Sequence, residues 1–121
     1  MTYLTRLRLE NFRNYPTLTL RPTARLMVVH GPNGSGKTNL LEAISLLTPG
    51  RGLRGARIAD MVRVGATSWA VNGRFAGEAG EVEIATGTAP GGPADRRVFR
   101  LDGAAPRNQA EIATHAAAVW L

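Results

Sequence analysis

The chain of 121 residues contains no cysteine, and it contains no apolar run of the length that a membrane span requires. Without cysteine, neither a disulfide framework nor a cysteine-based zinc site can form. A transmembrane helix needs about 20 consecutive, mostly apolar residues, and no stretch approaches that length. The N-terminus also lacks the apolar core of a signal peptide, because arginines occupy positions 6, 8 and 13. These absences predict a soluble, cytoplasmic protein with no membrane partner.

Lysine is nearly missing as well, since Lys37 is the single lysine among 15 basic residues. It stands in a glycine-rich stretch in which Gly31, Gly36, Lys37 and Thr38 match the pattern G-x-x-x-x-G-K-[ST] of a phosphate-binding P-loop. A compact ammonium group on a flexible stem suits a position between phosphates better than a planar guanidinium does. The one lysine therefore lies where phosphate binding favours lysine over arginine.

The residues around this motif favour the same interpretation. The apolar run from Leu26 to His30 predicts a buried strand before the glycine-rich turn. Apolar residues then recur at helical spacing, which predicts a helix that begins near Lys37 and ends before Thr48. Glycines allow the backbone to curl around a ligand, and N–H groups of the turn and of the helix N-terminus bind phosphate. Lys37 would reach the β- and γ-phosphates, and the Thr38 hydroxyl would bind Mg²⁺.

The net charge of +6 is distributed unevenly along the chain. Residues 1–63 hold ten basic residues and three acids, for a net charge of +7, whereas residues 64–121 hold five arginines and six acids, for −1. A basic half built around a phosphate-binding loop indicates polyanionic partners, first a nucleotide and then DNA. An arginine-rich composition alone produces the same excess, so both interpretations stay open.

Alternating apolar and polar residues predict two strands before the P-loop. Residues 3–11 alternate with Leu7 and Leu9 on one face, and residues 17–20 alternate in the same way. The stretch from Phe12 to Pro16 has turn chemistry and separates the two strands. The opening of the chain is therefore predicted to be a half-buried hairpin.

Residues 64–103 are predicted to form an antiparallel meander. Short alternating runs at 69–75, 82–84 and 98–101 occur at hairpin spacing, and the glycines and prolines at 87–93 predict an exposed turn. Trp69 is assigned to the core rather than to base stacking.

The remaining stretches connect or extend these elements. The basic, glycine-rich stretch 50–57 is predicted to be a loop, and Ile58, Met61 and Val62 are predicted to lie on one side of a short helix. Residues 104–121 are predicted to contain a helix that begins at Asn108, followed by the first residues of another strand.

A further absence concerns catalysis. A P-loop ATPase needs an acidic Walker B residue at the end of a second apolar strand, where the acid holds Mg²⁺ or its water. No apolar run in this sequence ends in such an acid, and Asp102 follows a run that is too polar and belongs to a hairpin. The sequence therefore predicts no catalytic residue within the 121 positions and an N-terminal piece of a larger protein.

Three stretches resemble the RecF family of bacterial recombination and repair ATPases, which belongs to the ABC-type ATPases related to SMC proteins. Residues 4–15, which end in Phe-Arg-Asn-Tyr, resemble the first strand and turn of the family, and residues 31–44 resemble its P-loop and helix. The basic segment at 50–54 resembles the one that comes after that helix.

This resemblance implies a fold class and a domain organisation. The fold class is an α/β P-loop NTPase, namely the N-terminal lobe of an ABC/SMC-like ATPase head with an antiparallel β meander, and the domain is expected to be incomplete. Residues 1–63 would form the P-loop core, residues 64–103 the antiparallel strands, and residues 104–121 a helix and the start of the next strand.

The resemblance also implies the binding residues. The P-loop would bind the phosphates of ATP, Thr38 would bind Mg²⁺, and Arg13 and Asn14 would lie beside the nucleotide. The glutamine loop, signature motif and switch histidine of the family are not found, and Gln109 and His115 are not assigned to these roles. The implied P-loop residues are Gly31, Pro32, Asn33, Gly34, Ser35, Gly36, Lys37, Thr38 and Asn39.

By the same resemblance, the parent protein would bind ATP and Mg²⁺ and form an ATP-dependent homodimer. It would bind single-stranded DNA or gapped duplex DNA together with other recombination mediator proteins. Its expected roles are recombinational repair, replication restart and the SOS response, and it would be a weak DNA-dependent ATPase only as the complete, paired protein.

Two alternatives stay open. A coiled-coil chromosome-type ATPase or an overcoming-lysogenisation-type ATPase shares the opening strand and the P-loop, and heptad repeats after residue 121 would distinguish it. The other alternative is a truncated, non-catalytic fragment that binds nucleotide.

Overall fold

The structure is a computed structural model that describes residues 3–21, 42–47, 57–77 and 80–105. These residues form a five-stranded antiparallel sheet, one face of which is covered by a short helical segment. The strands are β1 (Tyr3–Phe12), β2 (Tyr15–Leu20), β3 (Ala70–Gly77), β4 (Gly80–Thr88) and β5 (Arg97–Leu101). The helical segment, α1, comprises residues 42–45 and continues as a turn at 46–47.

The strands lie in the order β2-β1-β3-β4-β5, so the opening hairpin and the meander share one sheet. Sequence patterning predicts both parts but not their union. The union is made by β1 and β3, which pair in the register Leu7↔Gly73 and Leu9↔Val71. Because the two strands are far apart in sequence, no local pattern encodes this pairing.

One face of the sheet forms the core. Leu7 and Leu9 of β1 are fully buried, as their alternation predicts, and so are Val71, Phe75 and Ile84 of the meander strands. Successive side chains of a strand point to opposite faces, so Arg6, Arg8 and the other intervening residues lie on the outer face. The predicted half-buried strand is confirmed for β1, and the predicted antiparallel meander is confirmed for β3, β4 and β5.

Segment α1 packs against this core through Ala43, Ile44, Leu46 and Leu47, all of which are buried. The helix approaches the sheet closely at Gly73 of β3. A Cβ atom at that position would lie 2.5 Å from Cδ1 of Leu47, which is far inside normal contact distance. The sheet therefore carries a glycine at the point where α1 contacts it.

The β1–β2 connection is tighter than the sequence predicts. The predicted turn from Phe12 to Pro16 is reduced to the two residues Arg13 and Asn14, because Phe12 and Tyr15 already pair as strand residues. Pro16 is accommodated inside β2 because β2 is an edge strand, where a proline removes no hydrogen bond from a second neighbour.

The predicted turn at 87–93 is also shorter, since β4 continues through Thr88. The Thr88 backbone N–H donates to the Trp69 carbonyl at 3.1 Å, and the Trp69 N–H donates to the Thr88 hydroxyl at 3.3 Å. These bonds extend the strand, and the exposed turn begins only at Ala89. Trp69 itself is buried against the ring of Phe12 at a centroid distance of 5.5 Å, which confirms its assignment to the core.

The predicted short helix at 58–62 is a single 3₁₀ turn at Ile58–Asp60. Met61 is buried, as expected for the apolar side of this segment, and Asp60 is exposed. Val62 leaves the helix and forms a β-bridge with Phe12, so it is extended rather than helical.

No helix among the described residues has the length and apolar character that crossing a bilayer requires. Several predictions concern positions outside the described residues. These are the strand at 26–30, the P-loop at 31–39, the loop at 50–56, and the helix and strand predicted within 106–121.

Candidate functional site

The β1–β2 turn is fixed by backbone contacts with the segment after the 3₁₀ helix. The Arg13 N–H donates to the Met61 carbonyl at 2.8 Å, and the Arg63 N–H donates to the Asn11 carbonyl at 2.7 Å. Asn11 and Arg13 both have positive φ angles, 49° and 54°. A left-handed conformation is uncommon for arginine, and here the surrounding hydrogen bonds hold it.

The turn also contacts α1 through a two-point ion pair. Nε of Arg13 donates to Oε1 of Glu42 at 2.8 Å, and its Nη2 donates to Oε2 at 2.9 Å. The Glu42 side chain is completely buried, and the Arg13 side chain is 20% exposed. Two parallel, charge-assisted bonds satisfy both carboxylate oxygens in a place that water does not reach.

Arg13 makes a third contact, since its Nη1 donates to the Asp60 carbonyl at 3.1 Å. The hydrogen bonds to Glu42, together with the negative charges of Glu42 and Asp60, raise the pKa of Arg13 above its ordinary value against the opposing effect of burial. The guanidinium is therefore a permanent cation with three of its five N–H groups directed at the protein. Its other two N–H groups have no partner among the described residues.

A second arginine holds the other end of α1. Nη2 of Arg97, from β5, donates to the Leu46 carbonyl, and its Nε donates to the Thr86 hydroxyl at 2.8 Å. The guanidinium also lies over the ring of Phe99, 4.5 Å from its centroid. Burial lowers the pKa of Arg97 to about 10, which still leaves it charged at neutral pH. The last carbonyls of a helix lack intrahelical donors, and here the partly buried Arg97 guanidinium donates to one of them.

Of the binding residues predicted from sequence, Arg13 and Asn14 lie in the described part of the chain. They are the two turn residues, and Asn14 is exposed. The predicted P-loop residues, Gly31 to Asn39, lie outside the described residues, and this includes Lys37 and the Mg²⁺ ligand Thr38. The structure does describe α1, which comes after the P-loop sequence, and the two arginines bound to it, Arg13 and Arg97.

Glu42 is the residue that sequence reasoning missed. An acid in an amphipathic helix is normally assigned to the solvent face, yet Glu42 is fully buried. A signal was present, because Leu40 and Leu41 precede it and Ala43 and Ile44 come after it. A helix with apolar residues on both sides of one acid has no polar face there, which favours a buried partner for the acid.

The outer face of the sheet is an unsuitable surface for a polyanion. Glu83 accepts hydrogen bonds from Arg6 at 2.9 Å and from Arg74 at 3.2 Å, so both cations are already paired. An open cavity of about 350 Å³ beside them is lined by residues that include Glu81, Glu83 and Asp102. The predicted excess of positive charge in residues 1–63 does not produce a basic patch on this face.

Asp102 has a structural partner that explains its position. Its Oδ1 accepts the Glu83 backbone N–H at 2.8 Å, and its own N–H donates to the Glu83 carbonyl at 2.8 Å. It thus continues the β4–β5 ladder by one residue beyond β5. Asp102 therefore comes directly after a hairpin strand, as the sequence predicts.

Comparison with known proteins places this fold in a defined class. The profile of the RecF/RecN/SMC N-terminal domain family matches residues 3–88, and the chain belongs to that family. The solved structure of the recombination mediator protein RecF-ATP in the RecFOR pathway resembles it with a TM-score of 0.79 and 30% identity, over 94% of this chain and 30% of that one. The SMC head domain from Thermotoga maritima has a TM-score of 0.73 and 25% identity, over 93% of this chain and 41% of that one.

Within the family, several similar sequences share one name. The DNA replication and repair protein RecF of Rhizobium meliloti (strain 1021) is 47% identical over 98% of this chain, and that of Mesorhizobium japonicum is 48% identical over 99%. In each case the match covers 32% of the relative, so the chain spans about a third of their length. The predicted resemblance to the RecF family and the predicted fold class, an α/β P-loop ATPase head, are both confirmed.

Proposed function

We propose that this chain is the ATP-binding, N-terminal part of a RecF-type protein of DNA replication and repair. The observation that carries the proposal is the likeness of its fold to RecF-ATP over 94% of the chain, together with the P-loop sequence at positions 31–38. The identity of 43–48% to RecF relatives supports the RecF branch over an SMC-type ATPase, whose head domain is less similar in sequence.

The chemistry of the proposed donor set fits a magnesium nucleotide. Backbone N–H groups of the glycine-rich turn and the ammonium of Lys37 would bind the phosphates, and the Thr38 hydroxyl would bind Mg²⁺. Bound Mg²⁺ would neutralise charge between the β- and γ-phosphates. Arg13 and Asn14 are proposed to lie beside the nucleotide.

The functions proposed for the whole protein are those implied by the family. It would form an ATP-dependent homodimer, bind single-stranded or gapped DNA, and act with other recombination mediators in the cytoplasm. The pairing of Arg6 and Arg74 with Glu83 argues against the outer sheet face as the surface that binds DNA. Hydrolysis is not proposed for these residues alone, since no acid suited to the Walker B role was found in the sequence.

The proposal is tested by ATP binding to the purified chain with Lys37 intact, replaced by alanine, and replaced by arginine. We expect ATP to bind the unaltered chain in the presence of Mg²⁺, and Lys37→Ala to lose most of that affinity. Lys37→Arg should also lose affinity although it keeps the charge, because a planar guanidinium does not fit between phosphates. Thr38→Ala should weaken binding only when Mg²⁺ is present.

The matched control is Arg74→Ala, which removes a cation from the outer face of the sheet. Its affinity for ATP should equal that of the unaltered chain. If Lys37→Ala binds ATP as tightly as the unaltered chain, the assignment of the P-loop is wrong.

A further inference from the structure

The two edges of the sheet differ in how readily they accept another strand. β2 carries Pro16, which has no N–H and so offers one donor fewer to a strand outside the sheet. β5 contains no proline and pairs with β4 without a register shift. We propose that the outer edge of β5 is an interaction surface for an extended acidic peptide, which adds to the sheet as a further strand. Peptide binding at this edge would not require nucleotide.

The backbone of β5 bonds alternately to β4 and away from it. The Asp102 N–H donates to the Glu83 carbonyl of β4 at 2.8 Å. The Leu101 N–H donates in the opposite direction, to the Ala104 carbonyl at 2.7 Å. Because successive residues of a strand direct their backbone groups to opposite sides, the N–H and carbonyl of Phe99 face the outer edge, as those of Leu101 do. Neither group of Phe99 has a hydrogen-bond partner at this edge among the described residues.

The turn after β5 begins a hairpin along this edge. Asp102 and Gly103 have the positive φ angles of a two-residue turn, 51° and 83°, and close the pair Leu101↔Ala104. Continuation of that register would put position 106 opposite Phe99. Position 106 is a proline, which lacks the N–H that a bond to the Phe99 carbonyl requires. A strand from a partner has no such restriction and can bond to both backbone groups.

The charge of β5 favours an acidic partner. Between Asp95 and Asp102 the sequence has Arg96, Arg97 and Arg100 and no acid. Arg96 and Arg100 are exposed, and neither forms an ion pair with a described residue. A second copy of β5 would bring its own arginines against these, and like charges on paired strands are unfavourable. An acidic strand places carboxylates beside them instead, so charge favours this partner over self-association.

The side chains of β5 define the pattern that the peptide should have. Phe99 and Leu101 pack against the core and are only partly buried, whereas Arg100 lies on the outer face and is exposed. Alternate residues of a strand point to the same side of the sheet. The peptide should therefore alternate apolar residues, which extend the core beside Phe99, with acidic residues, which lie beside Arg100.

The first test follows backbone amides of the protein by NMR hydrogen exchange, with and without the synthetic peptide Glu-Val-Glu-Ile-Glu-Val with blocked termini. The Phe99 amide should exchange rapidly in the free protein, and at least about 10-fold more slowly with saturating peptide, because it gains an acceptor. The amides of Val98 and Arg100 face β4 and should be protected in both states. They therefore report whether the sheet itself stays intact.

Charge reversal and a proline test the recognition. Lys-Val-Lys-Ile-Lys-Val should bind less tightly than the acidic peptide, and proline at the fourth position of the acidic peptide should abolish its binding. Arg100→Glu should lower the affinity for the acidic peptide roughly 5- to 30-fold and raise that for the basic peptide, because a favourable cross-strand charge pair becomes unfavourable.

The matched control is Arg8→Glu. Arg8 is an exposed arginine of β1, and two strands separate it from β5, so its reversal should leave both affinities unchanged at physiological salt.

Several outcomes would overturn the proposal. Slow exchange of the Phe99 amide in the free protein would show that another part of the protein already occupies the edge. Protection that appears without peptide as protein concentration rises would identify a second copy as the occupant. Peptide binding that leaves the Phe99 amide unprotected would place the peptide elsewhere. Equal affinities for the acidic and basic peptides, or no binding of the acidic peptide at millimolar concentration, would remove the acidic partner.

Discussion

Arginine–glutamate pairs lie on both sides of the same sheet, in different surroundings. On the side covered by α1, Arg13 pairs with Glu42, whose side chain is 0% exposed. On the outer face, the Glu83 carboxylate accepts hydrogen bonds from Arg6 and Arg74, and its side chain is 29% exposed. The groups and distances are similar, and the difference is how much water reaches the carboxylate.

That difference in exposure determines how much each pair contributes to the free energy of unfolding. A solvated ion pair contributes about 0–1 kcal/mol, because water already stabilises its separated charges. Removing one member of a buried pair costs about 3–5 kcal/mol, because the other charge is left without a partner. The buried pair therefore fixes the β1–β2 turn against α1. The outer cluster, which consists of Arg6, Arg74 and Glu83, should tolerate substitution with little loss of stability.

The largest expected effect on stability comes from removing Arg13, the arginine of the buried pair, and Arg74 on the outer face provides the comparison. Arg13→Met should lower the free energy of unfolding by about 3–5 kcal/mol, since it removes both hydrogen bonds that Arg13 donates to the buried Glu42 carboxylate. Arg74→Met should lower it by about 0–1 kcal/mol. Urea denaturation monitored by circular dichroism measures both. Replacing Glu42 by methionine together with Arg13 should recover much of the loss, and equal losses for Arg13→Met and Arg74→Met would remove the distinction between the two pairs.

A smaller effect is expected at the contact between α1 and the sheet. Gly73→Ala introduces a methyl group 2.5 Å from Cδ1 of Leu47. Because Leu47 has some freedom to adjust, we expect a loss of about 1–3 kcal/mol, measured by thermal unfolding. In a Leu47→Ala background the same alanine should cost much less, since its obstacle is gone. A full additional loss in that background would show that α1 does not pack on Gly73.

Low pH should reduce the stability that the outer cluster contributes through Glu83. Hydrogen bonding from Asn72, the hydrogen bond from Arg74 and the charges of Arg6 and Arg74 outweigh burial and lower the pKa of Glu83 from its ordinary value of 4.5. The stability that Glu83 contributes is therefore present above pH 4.5 and lost as pH falls through its lowered folded-state pKa. Glu83→Gln should reduce stability slightly at pH 7 and not at pH 2, in urea titrations at both values. A loss at pH 2 as large as that at pH 7 would contradict this assignment.

The smallest effect is expected for the exposed pair of Arg8 and Glu10 within β1. Their side chains are 47% and 50% exposed, and the Arg8 Nε to Glu10 Oε1 distance is 3.0 Å. Arg8→Ala should change the free energy of unfolding by at most about 0.5 kcal/mol, and added salt should reduce even that. A large, salt-independent loss would show that water screens the outer face less than these exposures indicate.

Local periodicity accounts for the strands and not for their arrangement. Alternation at Leu7 and Leu9 predicts the buried face of β1, and hairpin spacing predicts the order of β3, β4 and β5. The pairing of β1 with β3 depends on contacts between residues far apart in sequence, such as Leu7 and Gly73, which no window of neighbouring residues contains. Turn lengths were overestimated because Pro16 and Gly87, typical turn residues, are tolerated within strands.

The candidate site also has one part that the sequence predicts and one part that it does not. The P-loop is predictable because its chemistry requires particular residues at fixed spacing, with Lys37 and Thr38 adjacent. The Arg13–Glu42 pair is not predictable, because Glu42 is recognisable as buried only when Arg13, 29 residues earlier, is placed against it. Sequence patterns thus identify the residues proposed to bind the ligand, and the structure identifies those that hold the helix.

The pairing of β1 with β3 also sets an order of events during synthesis. The Thr5 hydroxyl of β1 donates to the Arg74 carbonyl of β3, 69 residues later in the chain. Ribosomes add about 5–20 residues per second, so the opening hairpin waits roughly 3–14 s for its partner strand. During that interval Leu7 and Leu9 lack their partners on β3, and the edge of β1 that β3 will cover is open to other strands. The nascent chain is therefore most vulnerable to aggregation after β1 and β2 have emerged and before β3 is complete, and a chaperone that binds short apolar segments would act in that window.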